Sequence, residues 1–300
     1  MNNKRTPESI LKLAIIISML LWGVSWPSSK VLTQYCSPIN FVIYRYFLVV
    51  ITLLIILMFL KVKLLIDRKS VWMVIASSLL LAVYSYLFFA GLKFGFAGAG
   101  GVLVTTLNPI IAYLLGMLVM RRAPNKNETF GLLLGLLAGC TLLNIWDSFN
   151  SLFLAGNLYF LLAAITWAVM SRFTAQATKY GSPFSFSLWM YLVTFLCLVP
   201  LMDFAELQTT FTITDIAFWG NMIFSSCVVT GLATTVYFYA TSQLGSEKAS
   251  SYIFMVPLGA AVSSWLFLGE KILLHTIVGG LLGLLAVYLI NKKRSVSASS

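Results

Sequence analysis

Residues 22–46, WGVSWPSSKVLTQYCSPINFVIYRY, recur in altered form as residues 167–191, WAVMSRFTAQATKYGSPFSFSLWMY. At a constant offset of 145 the stretches share Trp22/Trp167, Val24/Val169, Thr33/Thr178, Tyr35/Tyr180, Ser37/Ser182, Pro38/Pro183, Phe41/Phe186 and Tyr46/Tyr191. The kinship extends outward. Gly95 matches Gly245 at an offset of 150, Pro109 matches Pro257 at 148, and Gly131–Ala138 aligns with Gly279–Ala286, also at 148. That last match is weak alone, because Leu and Gly are common in any membrane helix. The repeated unit is almost wholly apolar, so the chain reads as a membrane protein of two related halves, an architecture that solute carriers use.

Composition agrees. Hydrophobic residues make up 60% of the chain and charged residues only 10%, against about 25% charged in a soluble protein. The net charge of +11 is spread over short connections between apolar runs, which is a topology signal and not a nucleic-acid footprint. The four cysteines, Cys36, Cys140, Cys197 and Cys227, show no paired spacing and read as small apolar residues. The single histidine, His275, has no partners for a metal site or a nucleophilic triad, so no metal, cofactor or catalytic group is expected.

A helix needs about 20 apolar residues to cross the hydrocarbon core. Ten such segments are expected, at 11–33, 38–60, 71–92, 97–120, 128–146, 152–173, 183–202, 214–241, 246–268 and 273–291. The fold class is therefore all-α and polytopic. Under this count Lys4, Arg5, Lys12, Lys61, Lys63, Arg68, Lys69, Arg121, Arg122, Lys126, Arg172, Lys179, Lys248 and the basic tail fall on one side. Asp147, Asp203, Glu206, Asp215 and Glu270 fall on the other, with Lys93 and Lys271 as exceptions. The positive side is cytoplasmic, which puts both termini there. The first apolar run has no small-residue cleavage site after it and has a repeat partner mid-chain, so it reads as a retained helix. Five spans is an odd number, so the second half enters from the opposite face. Residues 1–147 and 148–291 are then inverted five-helix repeats, with 292–300 a basic, Ser-rich cytoplasmic tail.

Several residues are candidates for a central site. Trp22, Ser25, Trp26 and Ser29 share one helix face at spacings of three and four. Trp167 repeats Trp22, while Tyr84, Ser85, Tyr86, Thr234, Thr235, Tyr237 and Tyr239 add rings and hydroxyls. The bland reading of each is packing between helices; the functional one is an aromatic, hydroxyl-rich substrate cavity. Pro109 and Pro257 lie inside spans, where a proline withholds the amide due to the carbonyl four residues back. They either kink a helix for packing or break one at a midplane site. Asn108 offers a donor and an acceptor beside Pro109, whereas its repeat partner is the apolar Val256. Lys30 and Arg45 either snorkel to the outer interface or offer a contact to an anion. No Asp or Glu lies well inside a span, which weakens the case for proton antiport.

The Trp22-Gly23 opening, Ser37-Pro38 followed by Arg45, Leu268-Gly269-Glu270 before the last span, and the ten-span repeat together resemble the drug/metabolite transporter superfamily, EamA type. The first half departs from that pattern with Arg121-Arg122 where Gly-Glu is usual. The resemblance covers the whole chain. It implies a central cavity between the halves, alternating access by their rocking, and export of amino acids or their derivatives, metabolites or cationic drugs across a bacterial inner membrane. On that reading the substrate-binding residues are Trp22, Ser25, Trp26, Tyr86, Asn108, Trp167 and Tyr237, with Pro109 and Pro257 as helix kinks. The partners are the lipid bilayer, a small-molecule substrate and a coupling proton or ion, and the chain works as a monomer or homodimer. Two other classes are weaker. A membrane-embedded lipid-modifying enzyme needs clustered His, Asp or Glu, and a channel needs recurring filter residues; the sequence offers neither.

Overall fold

The computed structural model describes residues 7–32, 35–94, 97–121, 123–142, 145–148, 155–268 and 273–291. The expected tail at 292–300, Lys4, Arg5, Arg122 and Glu270, and the side chains of Lys30, Lys93 and Asp147, lie outside the described residues. Helices run at α1 Glu8–Leu32, α2 Pro38–Phe59, α3 Val71–Phe94, α4 Ala97–Met120, α5 Lys126–Leu142, α6 Ile145–Ser148 and α7 Ala155–Thr174. They continue at α8 Pro183–Leu198, α9 Phe204–Phe211, α10 Ile216–Ile223, α11 Thr235–Leu244, α12 Ser246–Ser251, α13 Val256–Leu268 and α14 Leu274–Asn291. A π-helical segment, Phe224–Thr234, joins α10 to α11.

Every apolar segment expected from the sequence contains helix. Among the described residues seven stretches are long and apolar enough to cross a membrane, and Leu158–Thr174 and Ile277–Asn291 are shorter apolar helices. Side chains such as Phe59, Trp72, Leu118, Ile216 and Leu281 stand exposed on the outside. In water such a surface would drive association; against lipid it is the surface a membrane protein needs.

Helix starts follow local chemistry. Ser37 caps α2 with Pro38 at the first turn, where the missing amide is harmless. Asp203 accepts from the amides of Ala205 and Glu206 to start α9, and Asp215 accepts from Ala217 to start α10.

The packing reproduces the repeat. A Cβ placed on Gly131 of α5 would lie 3.1 Å from Ala286 O of α14, and one placed on Gly279 of α14 would lie 3.1 Å from Ala138 O of α5. Rising numbers in α5 meet falling numbers in α14, so these equivalent helices run antiparallel. The same holds for α2 and α8. Lys63 and Leu64, past the end of α2, accept from Ser185 and Trp189 near the start of α8, at 2.6 and 2.7 Å. Asp203 and Glu206, past the end of α8, bond Asn40 near the start of α2, at 2.9 Å. Midway, the equivalent rings of Tyr46 and Tyr191 meet with centroids 5.7 Å apart. Antiparallel equivalents are what an inverted repeat requires.

The two prolines differ. At Pro257 the chain passes from a 3₁₀ turn, Tyr252–Met255, into α13, and Ile253 O takes its hydrogen bond from the Val256 amide. That tightening re-satisfies a carbonyl which Pro257 leaves without an amide. At Pro109 the helix α4 runs on through the proline, so a change of helix type accompanies Pro257 and not Pro109.

Candidate functional site

α1, α2, α3, α4, α7, α8, the π segment and the 3₁₀ turn enclose a central cavity of about 100 Å³. One wall is aromatic. Trp22 and Trp167, equivalent in the repeat, meet edge to face at 5.2 Å. The Tyr84 ring lies 4.7 Å from that of Trp167, and Trp26 packs on Phe88 at 5.1 Å. Such pairs stabilise each other and hold the rings in fixed orientation.

The polar groups are few. Trp22 Nε1 donates to Thr234 Oγ1 at 3.1 Å, and Ser25 Oγ donates to Trp22 O at 2.6 Å. Asn108 is 1% exposed; its Nδ2 donates to Ala164 O at 3.3 Å, tying α4 to α7. Asn108 Oδ1 is buried with no hydrogen-bond partner, and Trp167 Nε1, beside the Tyr237 ring, makes no well-formed hydrogen bond. Arg45 Nε donates to Thr230 Oγ1, and its guanidinium carbon lies 5.9 Å from the centre of the Phe41 ring.

The π segment explains how two threonines reach this wall. Its wider turn lets Thr230 Oγ1 donate to Ser225 O and Thr234 Oγ1 to Val229 O, each five residues back, at 2.9 and 3.1 Å. Both hydroxyls are thereby fixed as acceptors for Arg45 and Trp22. Wide turns of this kind recur at functional sites.

Trp22, Ser25, Trp26, Asn108 and Trp167 all line the cavity. Tyr237 does not line it but stands behind the wall, fully buried, with its ring 5.2 Å from Trp22 and its hydroxyl 3.3 Å from Ser171 Oγ. Tyr86 is not brought to the cavity. It is 60% exposed and edges a separate lateral groove between α2, α3 and the end of α8. The helical turn of about 100° per residue is the reason: with Tyr84 and Ser85 facing inward, Tyr86 must face out. Arg45 is the residue for which the snorkelling alternative fails, since its side chain lines the cavity. Thr105, Tyr46, Tyr191 and Thr230 also line it without having been singled out as ligand contacts.

Both ends of the α2/α8 pair are covered. At one end Ser37, through its amide and its hydroxyl, donates to Glu206, which also accepts from Asn40 Nδ2. Tyr35 donates its hydroxyl proton to Asp215 beside this clamp. That bond and the Ala217 amide hold the Asp215 carboxyl below its ordinary range. Burial first, then the Glu206 charge, pushes the Cys36 thiol up to about 12. At the other end the covering groups are the main-chain carbonyls of Lys63 and Leu64. Nearby in the sequence of contacts, Arg172 donates to Ser246 Oγ at 3.0 Å and pairs with Glu247 at 3.5 Å, joining α7 to α12.

The EamA-like transporter family matches twice, over residues 10–145 and 154–292, once in each half. The chain is 29% identical over 276 residues to the uncharacterized transporter YoaV of Bacillus subtilis, covering 90% of this chain and 92% of YoaV. It is 27% identical over 300 residues to the uncharacterized transporter YvbV of the same organism, covering 97% and 94%. A solved crystal structure shares the fold with a TM-score of 0.71 at 15% identity, covering 95% of this chain and 97% of its own. With the family matched in both halves, and its helices long and apolar enough for a bilayer, the chain belongs to the EamA-like transporter family.

Proposed function

We propose that the chain is a secondary carrier that moves a small organic solute across the cytoplasmic membrane by alternating access, most simply as an exporter. The observation that supports this best is the position of the cavity. It lies where equivalent residues of the two halves meet, Trp22 with Trp167 and Tyr46 with Tyr191. Residues 1–147 and 148–291 form the two inverted halves, and rocking of one on the other opens the cavity to each side in turn. Trp22, Ser25, Trp26, Asn108 and Trp167 contact the solute in this reading, and Tyr237 braces the two tryptophans. Both termini face the cytoplasm, and a proton or ion gradient supplies the driving force. Catalysis has no role here.

The test is counterflow. The purified chain in liposomes, preloaded with an unlabelled solute, is expected to draw in the labelled solute transiently. Downhill flux without counterflow would mean a channel, and would sink the carrier reading.

A further inference from the structure

Arg45 is expensive where it stands. A guanidinium inside a membrane-spanning helix is costly unless it is paired. Among the described residues no carboxylate pairs with it, and Thr230 Oγ1 is its one hydrogen-bond acceptor. The fork carries five N–H donors, and it stands in the cavity lining with one of them bonded to the protein among the described residues. The fold itself does not demand a cation there. At the repeat offset of 145 the twin of Arg45 is Met190, apolar and fully buried. The same comparison isolates Asn108, whose twin is the buried Val256. Its Oδ1 is a buried acceptor with no donor. The first half thus supplies a cation and a free acceptor where the second half supplies only apolar packing. No Asp or Glu among the described residues lines the cavity.

We propose that the cavity selects a small organic acid, a reading that rests on the carrier function above and names its substrate class. The carboxylate docks on the Arg45 fork, which suits it bidentately. A donor at the α-position, ammonium or hydroxyl, meets Asn108 Oδ1, and the apolar body lies against Trp22, Tyr84 and Trp167. A cation lacking a carboxylate meets Arg45 with no counter-charge to hold it. The cavity volume of about 100 Å³ favours a compact solute.

The experiment measures binding to the detergent-purified full chain, by thermal shift and by quenching of tryptophan fluorescence. The probes are matched sets: L-leucine, 2-hydroxy-4-methylpentanoate, L-leucinamide and isopentylamine, with the phenylalanine counterparts of each. The acids are expected to bind at least ~10-fold more tightly than the amides and amines. Arg45→Gln is expected to abolish that preference, and Arg45→Lys to keep part of it while the unliganded melting temperature stays close to wild type. The proposal is overturned if amides or amines bind as well as acids, if Arg45→Gln retains the preference, or if no acid in either set binds. Counterflow of the best acid is then measured separately. Binding with carboxylate preference but without counterflow overturns the carrier reading alone. Counterflow without the preference overturns the Arg45 assignment alone.

Discussion

Gly131 and Gly279 occupy each other's helix surface reciprocally, each placing its missing side chain 3.1 Å from a carbonyl of the partner helix. The residues are equivalent in the repeat, so one contact is made twice about a pseudo-twofold axis between α5 and α14. A Cβ at Gly131 would also meet Ile290 Cγ1 at 2.5 Å, and one at Gly279 would meet Leu142 Cγ at 2.6 Å. In both cases a flexible side chain must yield. Gly131→Ala and Gly279→Ala are therefore expected to lower stability by similar amounts, each about 1 kcal/mol after the gain in helix propensity, read as a drop in thermal midpoint. Gly220→Ala is the control, because its Cβ would meet nothing within 4 Å. It is expected to be neutral or stabilising. Unequal losses at Gly131 and Gly279 would argue against the reciprocal contact.

Gly23 is a harsher case. There a Cβ would lie 2.5 Å from both Gly259 C and Ala260 N, and backbone atoms cannot step aside. The α1–α13 crossing must open, and Trp22 on the preceding position moves with it. Gly23→Ala is expected to cost ~1–3 kcal/mol and to weaken acid binding in the fluorescence assay. Wild-type binding in a stable Gly23→Ala protein would show that the close crossing does not position the cavity wall.

Much of this arrangement is legible in the sequence alone. The offset of 145 brings Trp22 to Trp167 and Tyr46 to Tyr191 in space because the halves are antiparallel about one axis. Helix-face spacing puts Trp22, Ser25 and Trp26 together, and the three line the cavity. Tyr86 parts from Tyr84 and Ser85 because three consecutive helical positions cannot share a face. For Arg45 the depth in the span gives the energetic penalty but not the direction of a long side chain; its mismatch with Met190 was the available signal. The π segment left no mark in the sequence. Phe224–Thr234 has ordinary membrane-helix composition, and the contacts it makes with α1 and α2 are distant in sequence. Glu206 read as a topology charge because its partner Ser37 is 169 positions away.

The Glu206 clamp makes a chemical prediction. Cys36 is buried, donates to Leu32 O, and has its thiol held protonated by burial and by the Glu206 charge. In a Cys140→Ser, Cys197→Ser, Cys227→Ser background, Cys36 is expected to resist maleimide. Glu206→Ala removes the negative charge, which lowers the thiol pKa, and also frees the segment that covers it. Labelling is expected to accelerate by at least ~10-fold, since reaction tracks thiolate and access. An unchanged rate would mean that Glu206 does not hold this end closed.

Asp215 and Tyr35 give a pH signature. The folded Asp215 carboxyl lies below its ordinary value of 3.8, first because Tyr35 donates to it and second because the Ala217 amide does. A depressed folded pKa means that the contribution to stability is complete above the unfolded value and fades as pH falls through the folded one. Wild type is therefore expected to exceed Tyr35→Phe in thermal midpoint at neutral pH. The gap should close as the pH is taken below about 4. A gap that persists at low pH would assign the effect of Tyr35 to packing on Phe218, which its ring meets at 5.3 Å.

Trp22 and Trp167 occupy equivalent places but differ in their N–H. Trp22 Nε1 donates to Thr234 Oγ1, whereas Trp167 Nε1 makes no well-formed bond and is buried at the cavity. The same substitution should separate a stability role from a binding role. Trp22→Phe and Thr234→Val are expected to couple by about 0.6 kcal/mol in a double-mutant cycle, the average for an interhelical hydrogen bond in a membrane. Trp167→Phe is expected to show no coupling with Thr234→Val. It trims a ring that lines the cavity and meets the apolar body of the solute, so its effect should fall on affinity for the acid, weakening it several-fold. If Trp167→Phe leaves affinity unchanged while lowering stability, the indole serves packing against Tyr84 and Phe238, which its ring meets at 4.7 and 5.7 Å.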